Sequence, residues 1–248
     1  MRLLFTSDLH GIIPAYERFA ELLGSESYDA GVLAGDLLEE VLTDEQIVAL
    51  TGIDPDQLLD ELPGDDEAAF TDWENRPWNR YLDLALDARV RQIEGILHGS
   101  GKSVFFVLGN HDHRIWPGTP LVRDLHLRRI ELDGQAFVGY RWANGQRKGE
   151  EFEADIAALH PLVDSSTILV SHAPPFGILD STRNLDPRTR RASQIGLRQL
   201  NGLKPRFHLF GHVHEAAGRK GGYVNGCWIE LRKFFDIDIA RRRVRMVE

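Results

Sequence analysis

Five short apolar runs recur along the chain, each closing on Gly, Asn, Asp or His: RLLFTSDLHG (2–11), DAGVLAGD (29–36), KSVFFVLGNHD (102–112), STILVSHAPP (166–175) and RFHLFGHVH (206–214). Each run is nearly continuous rather than alternating, the pattern of a strand buried on both faces. Helix-like segments fall at about 14–23, 78–98, 150–160 and 189–201. Strands alternating with helices predict an α/β sheet covered by helical layers. Towards the C-terminus the spacing tightens, with strands over 222–230 and 233–247 and KGG as a turn before the first. RIELDGQAFVGY (129–140) carries the Asp-Gly hairpin signal. These closely spaced strands predict β-hairpins in a second sheet, hence two packed sheets with helices outside.

Residues 37–80 break the alternation. Thirteen acids stand there against two arginines, Arg76 and Arg80, a local charge of −11. TDEQIVALTG reads as a short helix with an N-cap at Thr43 and a closing Gly52, and DPDQLLDELPG as a second one. The stretch is either a solvated insertion or a cap over a site. With it, 248 residues make one domain, 1–248, carrying an acidic helical insertion at about 37–80.

A formal charge of −9 argues against a general duplex-DNA binder, which needs a broad basic face. It leaves room for a small anionic substrate at a local basic or metal site. The single cysteine, Cys227, forbids an intramolecular disulfide and fits a reducing compartment. No apolar run approaches the roughly eighteen residues of a membrane span, and MRLLFTSDLHG lacks the pattern of a signal peptide. The expectation is a cytoplasmic protein with no membrane partner.

Chemistry changes the picture more than composition does. Ligands in open α/β sheets sit beyond the carboxyl ends of the strands. There stand Asp8 and His10, Asp36, Asn110 and His111, His172, and His212 and His214, from five separate strands. An Asn, two His and an Asp in LGNHDH (108–113) do not belong in an apolar core unless something uses them. Oxygen and imidazole donors without thiolate suit manganese, iron, zinc or a similar ion. They are more than one ion requires, which points to two metals.

Read together, DLH (8–10), GDLLE (35–39), GNHD (109–112), SHAPP (171–175) and GHVH (211–214) resemble, in order, the motifs of the calcineurin-like metallophosphoesterase family. SHAPPFGILD, RASQIGLRQL and PRFHLFGHVHE are most similar to its small single-domain branch, the metallophosphoesterase domain-containing phosphodiesterases; the 37–80 insertion departs from that compact pattern. The resemblance implies a four-layer αββα sandwich with a dinuclear metal site at the strand carboxyl ends. It implies that Asp8, His10 and His214 hold one divalent metal ion, that Asn110, His172 and His212 hold the other, and that Asp36 bridges them. Manganese is the first candidate, with iron, zinc, cobalt, nickel and magnesium as alternatives. A metal-bridging hydroxide would attack phosphorus. His111 would face the substrate and protonate the leaving group, with Glu39 or Asp112 as its acidic partner. His113, His98, His126, His160 and His208 have no motif role, although His208 could support the site from its strand.

Between Ser181 and Arg206 lie seven basic residues and one acid. This is either a helix with a solvated basic face or a substrate contact through Arg183, Arg188 or Arg191. The implied activity is hydrolysis of a small phosphodiester, cyclic nucleotides included, or of a phosphomonoester. A nuclease would need an accessory nucleic-acid platform, and no basic stripe interleaved with aromatics is visible. A non-catalytic scaffold would be free to lose ligands, yet every ligand position holds a competent residue. The natural substrate and the oligomeric state stay open.

Overall fold

The computed structural model describes residues 1–25, 27–38, 42–53, 77–112, 116–143, 149–185 and 192–248. All five apolar runs are strands. β1 (Arg2–Thr6), β2 (Ala30–Ala34), β3 (Ser103–Val107) and β4 (Val122–Asp124) lie side by side in parallel. In a second sheet, β5 (Arg129–Leu132) turns back on β6 (Gln135–Tyr140), which runs parallel to β7 (Ile168–Ser171). β8 (Ser181–Leu185) and β9 (Ala192–Gln194) form a separate ribbon. β10 (Phe207–Phe210) lies parallel to β7, and β11 (Gly218–Lys220) and β12 (Tyr223–Asn225) complete the second sheet. β13 (Phe234–Asp238) and β14 (Arg243–Val247) complete the first, β13 antiparallel to β1.

The layers follow from the two-residue period of a strand. On β3, Val104 and Phe106 face outward beneath α1 (Ile13–Gly24), packed with Phe19, Leu23, Ile93 and Leu97. Phe105 and Val107 face inward, with Phe5, Val32, Phe137, Val170 and Leu209. The Phe105 and Phe137 rings stack 4.5 Å apart and join the two sheets. Truncating either to Ala removes a fully buried ring, a change that costs about 3–5 kcal/mol. On the far side, Val138, Tyr140 and Leu169 face Ile156 and Leu159. The fold is therefore the expected four-layer αββα sandwich, with both sheets covered on both faces.

Local signals work where the chemistry is local. Thr43 accepts from the Gln46 N–H while the Gln46 side chain accepts from the Thr43 N–H, a capping box that opens α2 (Asp44–Thr51). Gly52 closes it at φ 70°. Ile47 of α2 packs with Leu42 and with Ala85 of α3 (Pro77–Gly99), a small core of their own. α4 (Gly149–Leu159) falls where the third helix was expected. Asp133 and Gly134 both take positive φ, as the turn between β5 and β6 demands. The helix expected in DPDQLLDELPG lies outside the described residues. Among the described residues no helix is long and apolar enough to cross a membrane.

Three expectations are corrected. The segment 189–201 is not a helix in its described part: 192–194 is β9, and only Arg198–Leu200 makes a 3₁₀ turn. Tertiary pairing overrides helical propensity here. The Leu197 N–H donates to the Pro174 carbonyl, and Asp180 accepts from the Gly177 and Gly196 N–H groups. The strand expected over 222–230 stops at Asn225 and is followed by the short helix α5 (Trp228–Leu231). The C-terminal hairpin β13–β14 belongs to the first sheet, not the second. Phe235 and Ile237 fill the space between the sheets and Phe234 meets Phe19 of α1, and periodicity cannot say which sheet supplies that surface.

Candidate metal centre

Within each sheet the parallel strands point one way, and five of them end at one place. Asp8 and His10 follow β1, Asp36 follows β2, and Asn110 and His111 follow β3. His172 follows β7, and His212 and His214 follow β10. Three strands come from the first sheet and two from the second, so the cluster straddles the seam between sheets. Backbone bonds lock the loops together: the Asp8 N–H donates to the Gly35 carbonyl at 2.9 Å, His10 to Asp36 at 3.0 Å, and Gly211 to His172 at 3.0 Å.

Among the described residues, side chains come together as three groups that could each hold a cation, two of which share Asp36. Asp8, His10 and Asp36 form one of these two, and Asp36, His172 and His212 the other, with ligand atoms within 4.8 Å of each other in each group. Asp36 belongs to both. The Asn110 Oδ1 lies 2.8 Å from His172 Nε2, and His214 Nε2 lies 3.3 Å from Asp8 Oδ1. His111 stands at the opening, its Nε2 3.9 Å from Asp36 Oδ2 and its ring 5.5 Å from that of His10.

Several features fit a divalent cation. His172 Nδ1 is 2.9 Å from the Ala34 carbonyl, so Nδ1 carries the proton that donates there, and Nε2, which faces Asn110 and Asp36, is the atom at which a cation would take the place of a proton. His10 Nε2 is buried with no hydrogen-bond partner among the described residues. Asp8, His10, Asp36 and His212 all have positive φ, between 44° and 69°. Such backbone is costly for residues with a Cβ, and it persists where the surroundings impose it, commonly at functional sites. Gly109 and Gly211 permit the close approach, because a Cβ at Gly109 would strike Asp36 and one at Gly211 would strike Asp8.

Charge in the cluster is finely balanced. Burial opposes ionisation of Asp36, but His172 and the His111 N–H outweigh it and hold the carboxyl well below the usual carboxylate range. Burial likewise opposes charge on His172, yet Asp36, foremost, and Asp8 raise it to about 9. Burial and the charge of His172 lower His212 to about 4, and burial lowers His10. The hydrogen bond to Asp8 raises His214. A proton on His172 thus sits against the Asp36 carboxylate, and a divalent cation in the same place would displace it.

The remaining expected residues are placed as follows. Asp112 is half-buried with its carboxylate engaged by backbone: Oδ1 accepts from the Leu37 and Leu38 N–H groups, both at 2.8 Å, and Oδ2 from Gly109 at 2.7 Å. It ties the loop after Asp36 to the loop that carries Asn110 and His111. Burial, and then the Asp36 charge, raise its pKa to about 6. Arg183 lies on β8, its guanidinium 3.0 Å from Glu230 and its N–H donating to Glu215 at 3.1 Å, which anchors the ribbon beside His214. Glu39, Arg188, Arg191 and His113 lie outside the described residues. His208 supports the site: its Nε2 is 2.7 Å from the hydroxyl of Ser171, the residue before His172. A residue not singled out from the sequence also reaches the cluster. Cys227, just beyond β12, groups with Asp8 and His214 within 4.8 Å. Its signal was a polarisable donor at the end of an apolar strand, VNGC.

This sandwich, with a carboxylate–imidazole cluster at its strand ends, is the architecture of a metal-dependent hydrolase. The family model for calcineurin-like phosphoesterases matches residues 1–216, and the chain belongs to that family. It is thereby a phosphoric ester hydrolase of a family that works with divalent metals. A search of curated proteins finds no match. Among solved structures, TT1561 of Thermus thermophilus is 16% identical over 100% of this chain and 98% of its own, with a TM-score of 0.60. A second crystal structure is 14% identical over the same shares, with a TM-score of 0.63. At these identities the likeness is one of fold.

Proposed function

We propose that the protein hydrolyses a small phosphodiester, cyclic nucleotides included, with phosphomonoesters as secondary substrates. The observation that carries this reading is the double membership of Asp36: it stands between two donor groups, as a bridging carboxylate must. Asp8, His10 and His214 would hold one metal, and Asn110, His172 and His212 the other. When bound, the two cations supply Lewis-acid activation of the attacking water and neutralise charge gathering on the phosphoryl oxygens.

The chain's own residues do the rest. The Ala34 carbonyl orients His172 through its Nδ1, and the His111 N–H orients Asp36 through its Oδ1 at 2.9 Å. His111, whose side chain is 29% exposed at the mouth, is placed to donate a hydrogen bond to a phosphoryl oxygen and then a proton to the leaving alkoxide. Asp112 holds the His111 loop against the Asp36 loop, so it positions rather than reacts. Among the described residues the candidate arginine, Arg183, is already engaged with Glu230 and so is not available to a monoester's second negative charge, which favours a diester. The unpaired, buried Cys227 favours the cytoplasm as the compartment.

The test compares bis(p-nitrophenyl) phosphate with p-nitrophenyl phosphate, using metal-stripped protein with Mn²⁺ added back, alongside Asp36→Ala and His111→Ala. The reading expects metal-dependent activity, higher on the diester and abolished by Asp36→Ala. For His111→Ala it expects a loss of about 10²–10⁴-fold in kcat, the usual contribution of a general acid. Folded, metal-loaded protein that cleaves neither ester would refute it.

A further inference from the structure

Cys227 is the chain's only cysteine, and it sits in the site wall. Its neighbourhood is built from both metal-bearing loops. The Cys227 N–H donates to Asn225 Oδ1 at 3.2 Å, and the Asn225 amide donates to the Val213 carbonyl at 2.8 Å, between His212 and His214. On its other side the Ser7 N–H donates to the Gly226 carbonyl at 3.1 Å, and the Trp228 N–H donates back to the Ser7 carbonyl at 3.0 Å. Cys227 is therefore clamped between the segment that precedes Asp8 and the segment that carries His214. The residue is fully buried and the bonds that fix its backbone leave it little freedom to turn away.

A second observation points to a ligand in the same place. The Ser7 hydroxyl is buried and has no hydrogen-bond partner among the described residues. A Cβ at Gly211 would strike both Ser7 Oγ and Asp8 Oδ2, so these two oxygens flank one small space. A buried hydroxyl left unpaired beside a buried carboxylate is costly unless an ion or an ion-bound water completes it. Asp8, which borders that space, also groups with His214 and Cys227, their ligand atoms within 4.8 Å of one another, as one oxygen, one nitrogen and one sulfur donor.

We propose that Cys227 is a thiolate ligand at the Asp8–His214 metal position, giving it a mixed oxygen, nitrogen and sulfur donor set that selects zinc, iron or cobalt over manganese and magnesium. The inference rests on the metal-dependent reading above. As the metal–sulfur bond forms, the S–H proton leaves to solvent, and the charge of the ion is met by thiolate as well as carboxylate. Soft thiolate favours thiophilic ions, whereas an all-oxygen and imidazole set does not discriminate so strongly. The two positions of the centre would then differ in kind, since the Asp36, His172, His212 and Asn110 set contains no sulfur.

Cobalt(II) loading of the full chain provides a readout independent of activity. Wild-type protein should show visible d–d bands together with near-ultraviolet thiolate-to-cobalt charge-transfer absorption. Cys227→Ser, nearly isosteric, should keep the d–d bands and lose the charge-transfer band. By competition against a chromophoric chelator, the same variant should lose on the order of tenfold in zinc affinity while manganese affinity changes far less. Cobalt-loaded wild type with d–d bands and no charge-transfer absorption overturns the sulfur ligand while leaving the metal-dependent reading intact. A band that survives in Cys227→Ser overturns it as well. Protein that takes up no cobalt, zinc or manganese overturns both.

Discussion

His208 makes the stability of this protein sensitive to acid in a way that can be worked from its surroundings. The ring is buried between Phe210, 5.2 Å away, and Tyr223, 5.9 Å away. The Ser171 hydroxyl donates to the Ala173 carbonyl at 2.6 Å, so the 2.7 Å contact with His208 must be His208 Nε2–H donating to Ser171 Oγ. Nδ1 is left bare, with no partner among the described residues. Burial lowers the pKa from an ordinary 6.5 to about 3. Between those values the unfolded chain holds the proton and the folded chain does not. Stability therefore falls as pH drops below 6.5, by about 1.4 kcal/mol per unit, and the loss at pH 5 is about 2 kcal/mol. Urea unfolding of wild type and His208→Gln at pH 7.5 and pH 5.0 isolates this, because groups common to both proteins cancel. Wild type should lose about 2 kcal/mol more than the variant between the two pH values. Parallel losses would show that the imidazole accepts its proton without leaving the fold, and the reasoning would fail. The consequence reaches the site, since Ser171 immediately precedes His172.

Three further outcomes follow from the same geometry. Gly109→Ala places a methyl against Asp36 and His172; it should cost about 1–3 kcal/mol in thermal or urea unfolding and lower bound metal measured by atomic emission, whereas unchanged metal content would contradict the cradle. Asp236 is buried between the half-exposed Arg2, 2.8 Å away, and Arg245, so Asp236→Ala should cost about 1–2 kcal/mol after allowing for solvent around the arginines, read by urea midpoint. Removing metal with a chelator should lower the unfolding midpoint, and adding the ion back at a hundred times its Kd should restore about 2.7 kcal/mol, with no shift expected for Asp36→Ala at the same concentration.

Much of the site was legible because its chemistry is expensive to place anywhere else. Asp8, Asp36, Asn110 and His172 each follow an apolar strand, and buried strands of a parallel sheet must deliver their polar ends to a common rim. Asp112 was legible as part of GNHD but not its task, because its three donors come from Leu37, Leu38 and Gly109, two of them some seventy-five residues away. Arg183 looked like a candidate for substrate; only the paired Glu230 and Glu215 show where its charge and its N–H are engaged.

What the amino-acid order determined by itself is whatever depends on neighbours along the chain. The continuous apolar runs specified strands buried on both faces, Thr43 and Gly52 bounded α2, Asp133-Gly134 set a hairpin, and the five polar strand ends specified a metal-compatible cluster. The tertiary structure alone decided what depends on register between distant segments. It assigned β13–β14 to the first sheet, turned 192–194 into a strand against β8, and brought Cys227 to Asp8 across the Ser7–Cys227 bridge. The physical reason is the same in each case. Periodicity tells a residue which way it faces, but the partner it meets is chosen by packing between segments far apart in sequence.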